Sequence, residues 1–194
     1  MRKILTSILA VISLAVYAQK FNVETAAIEV KHYEDASSNE DDRKLAIDRA
    51  KVAIDKAFGN PETQQDAKMW SLRGKIYMYI AINNKLGIDD PKALDVSKEA
   101  FANCIKYDNE KKKYANEAKD LIINVGVNIY NKAVIHFNAR QYSEAIHWYK
   151  SLTEIYPFDT RELLKSNNIS EGSIYYYMGT TSYQAALDSN SSND

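Results

Sequence analysis

The sequence predicts an all-α protein, and three observations point to this fold class. The 194 residues include only six glycines and three prolines, so few positions can interrupt a helix. Apolar residues recur three and four positions apart along most of the chain, which is the spacing of one helix face. The alternating pattern of a half-buried strand is almost missing. We therefore expect helices along the whole folded region.

The first residues have the composition of a secretory signal. Arg2 and Lys3 precede an apolar run from Ile4 to Val16, and the segment ends with the small residue Ala18 where a signal peptidase cleaves. The run is shorter than the roughly 20 residues with which a helix crosses a bilayer. We predict that residues 1–18 are a cleaved signal peptide and that no membrane-inserted segment remains. The alternative is a transmembrane anchor.

About seven helices are predicted after this segment from apolar periodicity and from helix start and stop signals. Their approximate ranges are 22–36, 42–58, 65–83, 91–107, 111–139, 141–157 and 170–187. Gly59 and Pro61 end the second helix, whereas Asp90 and Pro91 are expected to begin the fourth as N-cap and first helical residue. Pro157 is expected to close the sixth.

Two stretches have weaker signals. Residues 158–168 predict only one short helical turn and a loop. The polar residues 189–194 (SNSSND) are expected to form a disordered tail. The folded region would then extend from residue 19 to residue 188 as one helical domain.

The predicted helices share an internal repeat of small and large side chains. The second helices of each pair align at Ala50/Ile54/Ala57, Ser97/Phe101/Cys104 and Ala145/Tyr149/Leu152. The first helices align at Trp70/Gly74/Tyr77, Ile129/Ala133/His136 and Tyr175/Gly179/Ser182. A small residue lets two helices approach closely, and an aromatic residue fills the gap beside the next pair. The offsets therefore serve packing.

These offsets resemble the tetratricopeptide repeat, which has the pattern W-x₂-L-G-x₂-Y, then A-x₃-F and a proline, over about 34 residues. The resemblance covers the chain after the signal. It implies a right-handed superhelix of antiparallel helix pairs, with about three and a half repeats. The chain departs from the family in its spacing, because Gly74, Ala133 and Gly179 are 59 and 46 residues apart. Arg73 also stands where the family has leucine.

Neither catalytic nor cofactor chemistry is predicted. His32, His136 and His147 lie on three different predicted helices, and no phosphate-binding glycine loop or nucleophile motif is present. Cys104 is the single cysteine, so no disulfide can form within the chain, and we expect a buried inert thiol. The alternative is a reactive or intermolecular thiol. We predict no enzyme activity, no metal and no cofactor.

The charge balance does not favour nucleic acid as a partner. Loss of Arg2 and Lys3 with the signal changes the formal net charge from −1 to −3, and no basic stripe is present. The resemblance instead implies binding to another protein or a peptide segment.

The family resemblance places partner binding in the concave groove formed by the first helix of each pair. The positions that face this groove are Ser71, Lys75, Met78 and Tyr79, then Tyr130, Val134, Phe137 and Asn138, then Tyr176, Thr180, Tyr183 and Gln184. The candidate partner-binding residues among them are Lys75, Met78, Tyr79, Tyr130, Phe137, Asn138, Tyr176 and Tyr183. The alternative for each tyrosine is packing between helices.

The function that follows is a non-enzymatic scaffold for protein–protein interaction in the cell envelope. The signal and the repeats resemble those of exported proteins of Gram-negative bacteria, which implies the periplasm or secretion. Two alternatives stay open. The chain could be the N-terminal repeat module of a longer enzyme or sensor. It could also self-associate through the last helix, where Tyr175, Tyr176, Tyr177 and Tyr183 form an apolar face that no second helix covers.

Overall fold

A computed structural model describes residues 20–108 and 112–191. Every regular element in these ranges is a helix, and they contain no strand, so the all-α prediction is confirmed. No helix within the described ranges is long and apolar enough to cross a bilayer. The predicted signal peptide, residues 1–18, lies outside the described residues.

The described residues form eight α-helices. They are α1 (20–34), α2 (Glu40–Phe58), α3 (Ala67–Ile82), α4 (Ala93–Tyr107), α5 (Ala115–Asn138), α6 (Tyr142–Thr153), α7 (Leu163–Ser166) and α8 (Glu171–Ser191). Short 3₁₀ helices span Pro61–Thr63, Asn84–Leu86 and Tyr156–Phe158. The seven long helices begin and end within four residues of their predicted limits, and α7 is the short turn expected before the last helix.

Three of the predicted start and stop signals act differently in the structure. α4 begins at Ala93, because the Asp90 carboxylate accepts the Lys92 amide N–H (3.1 Å) in a turn before the helix. α6 ends at Thr153, and Pro157 lies in the 3₁₀ helix that follows. α8 continues through Ser191, so residues 189–191 are helical where a disordered tail was expected; residues 192–194 lie outside the described part.

The chain divides into two compact units, with the boundary after Ala118 inside α5. Unit 1 contains α1–α4 and the start of α5. Unit 2 contains the rest of α5 and α6–α8. Each unit buries its own apolar residues, such as Ile54 and Phe101 in unit 1 and Leu152 and Ile174 in unit 2.

In unit 1, Gly74 is the point of closest approach between α3 and α4. The buried Phe101 ring lies so near that a Cβ atom on Gly74 would be 2.5 Å from its Cε1 atom. The Ser97 hydroxyl of α4 also donates a hydrogen bond to the Gly74 carbonyl (2.8 Å). Gly74 and Ser97 therefore have the packing role that their repeat positions predict.

In unit 2, the predicted equivalence of Gly74, Ala133 and Gly179 is wrong at Gly179. Ala133 is fully buried, but a Cβ atom on Gly179 would meet nothing within 4 Å. The close glycine contact is instead at Gly126, where an added Cβ atom would lie 3.1 Å from Leu164 Cδ2. The reason is that the face of α8 that carries Gly179 is exposed, so no helix of residues 20–108 or 112–191 lies against it.

A polar cluster joins α2 to α3. The Asp55 carboxylate accepts hydrogen bonds from Lys51 Nζ (2.9 Å), Tyr77 Oη (2.7 Å) and Arg73 Nη1. The Arg73 guanidinium is 10% exposed and lies 4.0 Å from the centre of the Phe58 ring. Burial acts to raise the pKa of Asp55, but the three hydrogen bonds outweigh it and hold that pKa below its usual value. Arg73 thus replaces the family's leucine with a paired charge.

Replacing Gly74 with alanine should destabilise the protein. The added methyl group would overlap the Phe101 ring, and overpacking of this kind costs about 1–3 kcal/mol. The matched control is Gly179→Ala in an open helical position, which should raise the free energy of unfolding by up to about 1 kcal/mol. Urea denaturation measures both. Equal effects of the two variants would contradict the close contact at Gly74.

Replacing Asp55 with asparagine should also destabilise the protein. The carboxylate is partly exposed, so we expect a loss of about 1–3 kcal/mol, whereas the exposed control Asp41→Asn should change stability by less than about 0.5 kcal/mol. The low pKa of Asp55 means that its contribution is present above the unfolded pKa of about 3.9 and is lost as the pH falls through the folded pKa. The difference in the free energy of unfolding between the wild type and Asp55→Asn should therefore become smaller in acid. A difference that widens there would contradict the pairing.

Candidate functional site

The predicted groove residues on α3 are engaged by other side chains of unit 1. The Tyr79 ring packs on Tyr33 of α1, with ring centres 4.6 Å apart, and its hydroxyl donates to the Glu34 carboxylate (2.6 Å). Burial, and then the bond to Glu34, raise the pKa of Tyr79 above its usual value. Tyr79 therefore already has both its apolar and its polar partner inside the unit.

The other two candidates on α3 are similarly occupied. Lys75 Nζ lies 2.6 Å from the Glu117 carboxylate, and the Met78 side chain is buried. Ser71, the neighbouring groove position, is also buried. The alternative of packing between helices thus describes α3 better than an open binding surface does.

In unit 2 the structure brings tyrosines from three helices together. Tyr130 of α5 lies 6.4 Å from Tyr149 of α6 and 6.3 Å from Tyr177 of α8, and Tyr149 lies 5.9 Å from Tyr177, measured between ring centres. Tyr176 joins through an edge contact with Tyr177 at 5.9 Å. We call these four residues the tyrosine cluster.

The tyrosine cluster extends from the interior of unit 2 to its surface. Tyr149 is only 3% exposed, Tyr130 and Tyr177 are half-buried, and Tyr176 is 67% exposed. Burial raises the pKa of Tyr149 to about 12 and, together with the neighbouring Tyr177, raises the pKa of Tyr130. The hydroxyl groups of these two residues are therefore neutral at physiological pH. The surface combines aromatic faces with uncharged hydrogen-bonding groups.

Phe137 belongs to a neighbouring corner of unit 2. Its ring lies 6.0 Å from Tyr142 at the start of α6, and the Tyr142 hydroxyl donates to the Asp188 carboxylate near the end of α8 (2.9 Å). Hydrogen bonds from Gln184 and Tyr142 lower the pKa of Asp188. This corner fixes the ends of three helices, and Asn138 is exposed beside it.

The sequence placed Tyr130 and Tyr176 in one groove, and the structure connects them through Tyr177. What sequence reasoning missed is the centre of the cluster, since Tyr149 was interpreted only as a packing residue and Tyr177 as part of an uncovered face. The positions of both residues along their helices could have indicated this role. Tyr177 lies three positions after the buried Ile174 and four before the buried Thr181, so it is on the same, inward side of α8. Tyr183 is 66% exposed and lies on the outward side of α8.

A second surface feature lies between α1 and α2 in unit 1. It is a groove of 420 Å³, lined mainly by Phe21, Thr25, Val52 and Ala53. Charged residues of both signs border it, namely Glu29, Asp48, Arg49 and Lys56. None of the predicted binding residues lines this groove.

The described residues contain no cluster of three or more His, Cys, Asp or Glu residues that could hold a metal ion. His32 lies beside Glu29 (3.5 Å), and His136 Nδ1 lies 2.6 Å from Gln141 Oε1, so each makes a local contact on its own helix or at its end. The Cys104 thiol is fully buried, and burial raises its pKa to about 12. Its placement matches the expected buried thiol.

No protein-family model matches the chain, and no curated protein and no solved structure is significantly similar to it. The tyrosine cluster is the strongest candidate site, because it is the place where predicted binding residues from different helices meet at a surface.

The Cys104 thiol should resist modification in the folded protein. Burial and a pKa of about 12 leave little thiolate at neutral pH, so an aromatic disulfide reagent should react at least roughly a thousandfold more slowly than with the unfolded chain. Absorbance of the released thiolate measures the rate before and after addition of guanidinium. Rapid stoichiometric reaction of the native protein would contradict an inert thiol.

Proposed function

We propose that the chain is an exported, non-enzymatic scaffold of the tetratricopeptide type that binds a segment of another protein at the tyrosine cluster of unit 2. The observation that carries this proposal is the contact between Tyr130, Tyr149, Tyr177 and Tyr176, which runs from a buried ring to a largely exposed one. Tyrosine side chains contribute much contact area for little conformational entropy, and they are enriched at the energetic centres of protein interfaces.

The form of the cluster favours a peptide segment over a small polar metabolite. Its groups are aromatic faces and neutral hydroxyls, which contact apolar side chains and backbone amides without requiring a charge on the ligand. The buried Tyr149 holds the more exposed rings in place, so less side-chain freedom is lost on binding. Phe137 and Asn138 extend the same helix toward its C-terminal end and supply a further apolar and a further polar contact.

The family assignment and the export of the chain rest on sequence features. The tetratricopeptide assignment is supported by the small-residue offsets and by the close α3–α4 contact at Gly74. Export to the periplasm is supported by the basic and then apolar composition of residues 1–18.

The proposal is tested by finding the partner through the cluster. A photo-crosslinking amino acid at position 130 should capture the partner in cells, and purified partner should then bind the chain in solution. Replacing Tyr130 and Phe137 with alanine should weaken that binding by about tenfold or more, because each removes a ring from the contact surface. The helical circular dichroism signal should be unchanged.

Tyr107→Ala is the matched control, since it removes a half-buried tyrosine from α4 in unit 1. This variant should bind the partner with wild-type affinity. Wild-type affinity of the Tyr130→Ala/Phe137→Ala protein would refute the tyrosine cluster as the binding site.

A further inference from the structure

The exposed face of α8, which we call the outward face, is a different surface from the inward side of this helix, on which Tyr177 lies. Its residues lie three and four positions apart and all are exposed: Gly172, Tyr175, Tyr176, Gly179, Ser182, Tyr183, Ala186 and Leu187. Tyr175, Tyr176 and Tyr183 expose 57%, 67% and 66% of their surfaces. No residue from Gly172 to Leu187 carries a charge. This outward face is unusually apolar for a solvated helix.

The outward face is complementary to itself when a second copy lies antiparallel and crosses at Gly179. In that arrangement, a residue that lies a given number of positions after Gly179 in one copy faces the residue that lies the same number of positions before Gly179 in the other copy. Tyr183 then faces Tyr175 of the other copy, and Tyr176 faces Ser182. A parallel arrangement would instead place Tyr176 against Tyr176. Antiparallel pairing therefore sets Tyr176 against a small residue and places the rings of Tyr183 and Tyr175 beside each other, and it also opposes the two helix dipoles favourably.

Gly179 itself supports a close crossing. A Cβ atom there would meet nothing within 4 Å, so the glycine serves no contact inside the described chain. Glycine in a helix interior costs stability relative to alanine, and it has a use where two backbones approach each other. A crossing helix at this position would provide that use.

The area that this face can bury is small, and it is in the range of a weak, transient dimer. A tyrosine offers about 150–250 Å² for burial, so three rings that are roughly two-thirds exposed would remove roughly 400 Å² per copy from water. Two copies give roughly 800 Å² before Leu187 and the small residues are included, and specific interfaces begin near about 1,000 Å². The absence of charge from Gly172 to Leu187 means that no like charges oppose each other within this stretch.

We infer that the outward face of α8 binds a second copy of this chain, with the two helices antiparallel and crossing at Gly179. The occupant is the same surface of an identical protein, so the assembly closes as a twofold dimer. The dimer uses Tyr175 and Tyr183 as its central ring pair, and it leaves Tyr130, Tyr149 and Tyr177 outside the paired face. It does cover Tyr176, the exposed member of the tyrosine cluster, so dimerisation and partner binding compete for that one ring.

Sedimentation equilibrium of the full chain should show a monomer at low concentration and a dimer at high concentration. The protein is used in the form in which the expressing cell produces it, after any cleavage of residues 1–18. Gly179→Glu should weaken the dimer by about tenfold or more, because it places an unpaired charge at the crossing. The fold should tolerate the change, since the position is open. Asn131→Glu adds the same charge at an exposed position of α5 and should leave the dimerisation constant unchanged.

Disulfide coupling tests the geometry independently. Gly179→Cys should couple to its own copy under mild oxidation, and the fully buried Cys104 should contribute little background. A mixture of Tyr175→Cys and Tyr183→Cys proteins should couple to each other, whereas neither should couple to itself. A monomer at all concentrations, open-ended oligomers, or self-coupling of Tyr175→Cys would overturn the proposal.

Discussion

The architecture of unit 1 depends on the space that Gly74 leaves for the Phe101 ring. Because α3 has no side chain at this point, α4 can approach until the ring touches the backbone, and Ser97 can reach the Gly74 carbonyl. The rest of α3 is then oriented by that contact. Arg73 and Tyr77, on either side of the glycine, turn toward Asp55 of α2. One absent methyl group thus determines how three helices fit together.

Tyrosine has different roles in the two units, and the residues around each tyrosine determine whether it packs or is available to a partner. Tyr79 meets a ring from Tyr33 and a carboxylate from Glu34, so its hydroxyl and its ring are both used inside unit 1. Within the described residues, the aromatic ring contacts of Tyr130 are with Tyr149 and Tyr177, and that group of rings continues to an exposed member. A tyrosine that has satisfied its hydroxyl with a carboxylate offers little to a partner. The Tyr130 hydroxyl is hydrogen-bonded to another neutral hydroxyl, that of Tyr177, so this group of tyrosines keeps aromatic faces and uncharged hydrogen-bonding groups at its exposed end.

Features set by local interactions could be predicted from the sequence, and those set by distant residues could not. Helix limits follow from periodicity to within four residues, and the Asn39 and Asp66 side chains that cap α2 and α3 are of the types that favour this position, although only Asp90 was predicted as a cap and α4 begins after it. The role of Gly74 could be predicted because its partner helix comes next in the chain. Gly179 has the same local pattern, but a glycine makes a close helix contact only where the tertiary fold packs another helix against it, and a Cβ atom at Gly179 would meet nothing within 4 Å. For the same reason the sequence could not separate Tyr79 from Tyr130, since Glu34 is 45 positions away from Tyr79.

The paired charge at Asp55 and Arg73 also has an evolutionary consequence. Loss of Asp55 leaves the Arg73 side chain, which is only 10% exposed, without its carboxylate, whereas loss of Arg73 still leaves Asp55 its bonds to Lys51 and Tyr77. Evolution can therefore replace Arg73 first with less cost, and an uncharged residue at position 55 is easier to accommodate once position 73 is apolar.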